Sequence, residues 1–289
     1  VVALKINYPK PKFIIKKING RDANANISTR AMQEVTIEAI VCSTDSSTVD
    51  TSFNGTATLS IYDLLQKETE ENGRPIYFTQ RLLTQVEGRV NNGVFTSTAL
   101  IPRYIISTGS PGLVKVYAHR DNSDEMVNGS FNKLLLYPYA EGAAQNITDT
   151  IAPTILSFYL DNEQDFAQRD AVGNKCTIHV AATDDHAFNN QKLNIGNGMT
   201  LKLDEGKSTF PNVNNYSIVS NGGKRLDVSY PVNIPDGEHS LQFSVYDAAG
   251  NCTTQSITFM INSSPQITLS VEEEQAINEA TFNITTSLA

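Results

Sequence analysis

Apolar and polar residues alternate with period two along most of this chain. "VTIEAIVC" sets Val35, Ile37, Ala39 and Val41 against polar neighbours, and "TATLSIYD" does the same with Ala57, Leu59 and Ile61. In "HSLQFSVYD", Leu241, Phe243 and Val245 fall on one face and Ser240, Gln242 and Ser244 on the other. Successive side chains of a strand point to opposite faces, so this rhythm predicts strands with one buried and one wet side. Such strands pair antiparallel and stack as two sheets. Helical spacing is nearly absent. Only "YDLLQKETEENG" (62–73) hints at it, and a long hairpin with a charged tip accounts for that stretch equally well. The pattern predicts an all-β fold of two tandem immunoglobulin-like β-sandwiches.

A weak internal repeat sets the division. "GLVKVYAHRDNSDEMVNGSFNKLLLY" (112–137) and "GEHSLQFSVYDAAGNCTTQSITFMI" (237–261) each hold a Gly, an alternating strand ending Val-Tyr, a polar tip and a second strand. Each reads as the last hairpin of a sandwich. The expected organisation is a first sandwich over 1–138, a small polar linker over 139–152, a second sandwich over 153–263, and the truncated start of a further β domain over 264–289. In "VYDAAGNCT" (245–253) a carboxylate, an amide and a thiol crowd together, but the order suits a tight turn. Asp247 would bond the turn backbone, Gly250 would take positive φ and Asn251 would tolerate it.

Composition narrows the partners. Acidic residues outnumber basic ones, 31 to 22, for a formal charge of −9. No basic block or aromatic–basic interleaving points to nucleic acid or anionic lipid. No apolar run approaches the ~18 residues of a membrane span, so direct membrane insertion is not expected. The chain opens on "VVALKINYP" without Met or signal peptide, and is read as a mature fragment or an excised piece. The Thr-, Ser- and Asn-rich composition suits a secreted β protein. Three cysteines make no disulfide framework. Cys176 shares parity with Ile178 and Val180 and should face a core, whereas Cys252 lies opposite Ile257, Phe259 and Ile261. All three thiols are expected to be free.

Candidate chemistry is sparse. The histidines are His119, His179, His186 and His239; none sits in a nucleophile elbow, and no GxSxG, CxxC or HExxH occurs. The fragment is therefore expected not to be an enzyme, with no catalytic residue of its own. Calcium is the one cofactor left open. "TDDHAFNN" (183–190) should join the second and third strands of the second sandwich, at the same end as the turn carrying Asp247. Asp184, Asp185 and Asp247 could thus converge as oxygen ligands, with further carboxylates in "LDNEQDFAQRD" (160–170). The plainer reading is that these residues cap turns. Asn-x-Ser/Thr sequons, Asn54, Asn146 and Asn262 among them, are of the kind such a composition produces by chance. Tyr62, Tyr77 and Tyr246 are candidates for a sugar-binding face.

"ALKINYPKPKFIIKKING" (3–20) resembles the segment that follows the catalytic domain in gingipain-family cysteine peptidases, PorU-type sortases of the type IX secretion system above all. The likeness continues in order through "FNGTATLSIYD", "NNGVFTSTALIPRYI", "GLVKVYAHRD", "APTILSFYLDN", "NIGNGMTLKLD" and "PDGEHSLQFSVYDAAGN". It implies an extracellular protein at the outer membrane of a Bacteroidetes-type bacterium. In such a parent, residues 1–10 would join an upstream catalytic domain that holds the family's Cys and His. The implied partners are that upstream catalytic domain, an outer-membrane β-barrel shuttle protein and the C-terminal domains of secreted cargo. "INEATFNI" lacks the Asn-Pro-Ala turn associated with the family's next domain. The function expected is a non-catalytic scaffold or docking region. The alternatives are an adhesin or carbohydrate-binding module and a calcium-stiffened spacer stalk.

Overall fold

The computed structural model describes residues 12–43, 48–69, 75–163, 166, 171–189 and 198–263; within these the side chains of 64–69 and 75–80 are left aside. The regular elements named among them are strands and two short 3-10 turns. The expected joining strand (1–10) and further domain (264–289) fall outside the described residues.

Strands β1 (Lys12–Ile18), β2 (Arg21–Asp22), β3 (Ile27–Arg30), β4 (Glu34–Cys42), β5 (Gly55–Thr69), β6 (Pro75–Asn91), β7 (Val94–Leu100), β8 (Ser110–Arg120) and β9 (Met126–Tyr137) form the N-terminal unit. They are hydrogen-bonded in the order β2-β1-β4-β7-β6-β5-β8-β9-β3, one nine-stranded sheet rather than two separate ones. The link between its halves is narrow: β6 and β7 share only the pairs Val90↔Phe95 and Asn91↔Val94. Asn92 and Gly93 between them both have positive φ, 50° and 74°, the geometry of a two-residue type I′ hairpin. Past this corner the sheet turns over on itself. Its first long strand returns to its last: a Cβ on Gly129 of β9 would stand 1.9 Å from the Phe13 carbonyl oxygen of β1. The alternating apolar positions, Ile37, Leu59, Phe95 and Val116 among them, fill the single core thus enclosed.

β5 and β6 run as a long hairpin from Gly55↔Val90 to Thr69↔Pro75, whereas β8 pairs with β5 only as far as Tyr62. The stretch that hints at helix is strand up to Thr69, paired with β6 past a register shift between Ile61 and Tyr62. The charged tip, 70–74, lies outside the described residues. β3 adds to the far edge in parallel with β9, from Ile27↔Leu134 to Arg30↔Tyr137.

The C-terminal unit holds β10 (Thr154–Leu160), β11 (Lys175–Thr183), β12 (Thr200–Leu203), β13 (Ser208–Thr209), β14 (Ser217–Ser220), β15 (Arg225–Asn233), β16 (Gly237–Tyr246) and β17 (Cys252–Ile261). These make two four-stranded sheets, β10-β11-β15-β14 and β13-β12-β16-β17, around a core that includes Ile178, Leu226 and Phe243. A parallel bridge, Val172↔Ile261, ties the segment between β10 and β11 to the last strand. The two halves of the sequence repeat are the hairpins β8–β9 and β16–β17. All three cysteines are free, Cys42 and Cys176 buried and Cys252 exposed. Burial pushes the Cys176 thiol up to about 12, and the nearby Asp161 charge adds to the shift.

The units meet directly. Met32 and Leu100 of the first pack with Ala187, Ala248 and Ala249 of the second, joined by Tyr139 and Ile147 from the connecting segment. Arg103 N donates to Ala248 O at 2.8 Å, and Ile147 N donates to Met32 O at 2.7 Å. The segment expected to be a small polar linker is therefore docked at Tyr139 and Ile147, while residues such as Gly142 and Ile151 stay exposed. Asn146 is pinned within it by its own amide on Ala140 O, at 2.7 Å.

Candidate metal centre at the joint between the units

The "YDAAGN" turn begins where β16 ends. Asp247 Oδ1 accepts from Gly250 N at 2.6 Å and Asn251 N at 2.8 Å, and Gly250 has φ 101°. Asn251 does not take the left-handed conformation expected of it. Its side chain is used instead: Nδ2 donates to Asp247 Oδ2 at 2.7 Å and to Asp149 O at 3.3 Å. The turn also has a packing role. Ala248 and Ala249 enter the apolar joint, and Ala248 N donates to Ala187 O at 2.7 Å.

That last bond brings in the loop after β11. Phe188 bridges Asp247, and Asn189 N donates to Tyr246 O at 2.9 Å. The two loops are thus neighbours at one end of the sandwich, as the sequence predicts, and Asp184 meets Asp247. Asp185 does not join that pair. Its place is taken by Asp149 from the connecting segment: ligand oxygens of Asp149, Asp184 and Asp247 all lie within 4.8 Å of one another. Asp185 stands at the rim, its side chain 39% exposed and Oδ2 3.0 Å from His186 Nδ1. It shares a second group with Asp149 and His186.

Turn capping accounts for half of this chemistry. Asp184 Oδ1 accepts from His186 N at 2.9 Å and Asp149 Oδ1 from Ile151 N at 3.1 Å. The other oxygens have no such use: Oδ2 of Asp149 and Oδ2 of Asp184 are buried without a hydrogen-bond partner. The Asp149 side chain is 0% exposed; His186 Nδ1 lies 3.5 Å from its Oδ2 and makes no hydrogen bond with it. Asp184 is 7% exposed and Asp247 0%. Burial, first of all, lifts the Asp184 carboxyl to about 6; the His186 N–H opposes the rise and the charges of Asp247, Asp149 and Asp185 add to it. Burial likewise raises Asp247, against the pull of its bonds from Asn251 and Gly250. Three carboxylates held this way are a hard, oxygen-only donor set.

Asp149 gives no sign in the sequence. It is one acidic residue in a polar stretch, and only docking of that stretch buries it. The other candidates are dispersed. Asp161 caps Thr177 N at 2.8 Å, and Asp165 and Asp170 lie outside the described residues. Tyr62 belongs to β5 with Lys115 over its ring, and Tyr246 to β16 of the other unit; the Tyr77 side chain is left aside. His119 is exposed on β8, His179 bonds Ser229 Oγ at 3.2 Å, and His239 pairs with Asp204 at 3.0 Å.

Fold and joint together define a class: a two-unit β region with an acidic cluster at its seam. No family model matches the chain, and no curated protein is similar to it in sequence. Among solved structures it is similar to dimeric latent PorU from Porphyromonas gingivalis, with a TM-score of 0.50 and 18% identity. The likeness covers 90% of this chain and 25% of that one. At that identity it establishes a shared fold.

Proposed function

We propose that this chain is the non-catalytic scaffold of a larger, PorU-like peptidase of gingipain type at a bacterial cell surface. One observation carries the reading: the likeness to PorU takes in 90% of this chain but only a quarter of that one, so it spans both units and the segment between them. Tandem β units with a buried joint suit holding and presenting. The scaffold would carry an upstream catalytic domain, and its sheet edges would dock an outer-membrane β-barrel shuttle or cargo C-terminal domains.

The test starts from the coding sequence that precedes Val1 in the parent. An α/β region with a Cys and a His at strand ends, binding the purified chain when expressed apart, supports the scaffold reading. Upstream sequence that holds only further sandwiches overturns it. A spacer function is favoured by a separate feature, the acidic seam.

A further inference from the structure

We propose that Asp149, Asp184 and Asp247 hold one calcium ion, and that the ion locks the two β units together through the segment that joins them. The inference does not rest on the peptidase reading. Burying an unpaired carboxylate costs on the order of several kcal/mol, and sequences keep such groups where a cation offsets the cost. Here three lie within 4.8 Å, and among the described residues no Lys or Arg forms an ion pair with any of them. Among the described residues His186 is the basic side chain near them, and a single imidazole could at most balance one charge of three.

The oxygens divide by task. One oxygen each of Asp149 and Asp184 holds a turn through a backbone N–H, and the other is left buried and bare. Asp247 Oδ2 takes only the Asn251 amide and keeps a lone pair. Carboxylate donors without Cys favour calcium over zinc, and an irregular seam suits calcium over magnesium, which demands a strict octahedron and sheds water reluctantly. Asp149 is the residue that makes the site a lock. It belongs to neither sandwich, yet the Asn251 side chain holds its carbonyl at 3.3 Å and Ile147, two residues before it, is bonded to Met32. An ion on Asp149 therefore fastens the connecting segment to the second unit just after it leaves the first.

The test is thermal unfolding of the whole chain in chelator, in about 5 mM calcium chloride and in the same concentration of magnesium chloride, above the ~0.1–1 mM dissociation range of extracellular calcium modules. Calcium should raise Tm by about 5 °C or more and magnesium by far less. Asp149→Asn and Asp184→Asn each keep the turn bond and remove a charge; both should lose most of the shift. Calorimetric titration of the unaltered chain should give one calcium per chain, and calcium should slow proteinase K cleavage within 139–152. No shift in the unaltered chain, an undiminished shift in Asp149→Asn, or an equal shift with magnesium overturns the calcium assignment. Binding that leaves cleavage of the segment unchanged overturns the lock.

Discussion

Asp184 shows how far one residue can be read from sequence. An Asp in "TDDH" after a strand is a turn cap by composition, and it is one: Oδ1 accepts from His186 N. That its second oxygen is buried against Asp149 depends on a contact between segments 35 residues apart in number, and no local pattern encodes it. The carboxyl stands at about 6, against 3.8 for the ordinary group. With the folded value above the unfolded one, protonation favours the fold, so its contribution is full below about 4 and lost as pH rises through 6. In chelator, the stability difference between the unaltered chain and Asp184→Asn should therefore shift against the unaltered chain as pH rises from 4 to 7. Urea unfolding at several pH values measures it. A pH-independent difference would mean that Asp184 titrates normally.

At the scale of elements, period two located β4, the first half of β5 and β16 with their buried faces, because a half-buried strand repeats its apolar side at every second residue. Connectivity was less legible. The Asn92-Gly93 pair reads as a turn in the sequence, but only its positive-φ geometry in the fold keeps β6 and β7 hydrogen-bonded and makes one sheet of two layers. Closure at the other end depends on the lack of a side chain at Gly129, which looks like any strand glycine in the sequence. Gly129→Ala would drive a Cβ into the Phe13 carbonyl, and backbone atoms cannot yield as a rotamer can. We expect a loss of about 2–3 kcal/mol in chemical unfolding. Gly142→Ala, with nothing within 4 Å of its Cβ, is the control for adding a methyl, although its positive φ of 71° adds a smaller local penalty. Equal losses in the two would refute the closure argument.

For the whole molecule, the seam decides whether two sandwiches behave as one body. Ala248 is 1% exposed between them, and a long side chain there has no room. Ala248→Arg should cost about 2 kcal/mol or more. In solution scattering it should lengthen the particle while each unit keeps its β spectrum. An unchanged scattering profile would show that the apolar contact does not set the arrangement. The parallel pairing of β3 with β9 has a mechanical consequence. β3 follows β1 and β2, and β9 is the strand by which the chain leaves the first unit. Once β1 and β2 have come away, a pull along the chain runs through β3 and β9 in opposite directions. The bonds of β3 to β9 would then share the load in shear, whereas a hairpin pulled from its open end gives way one bond at a time. The pairing thus resists tension after the first strands have yielded.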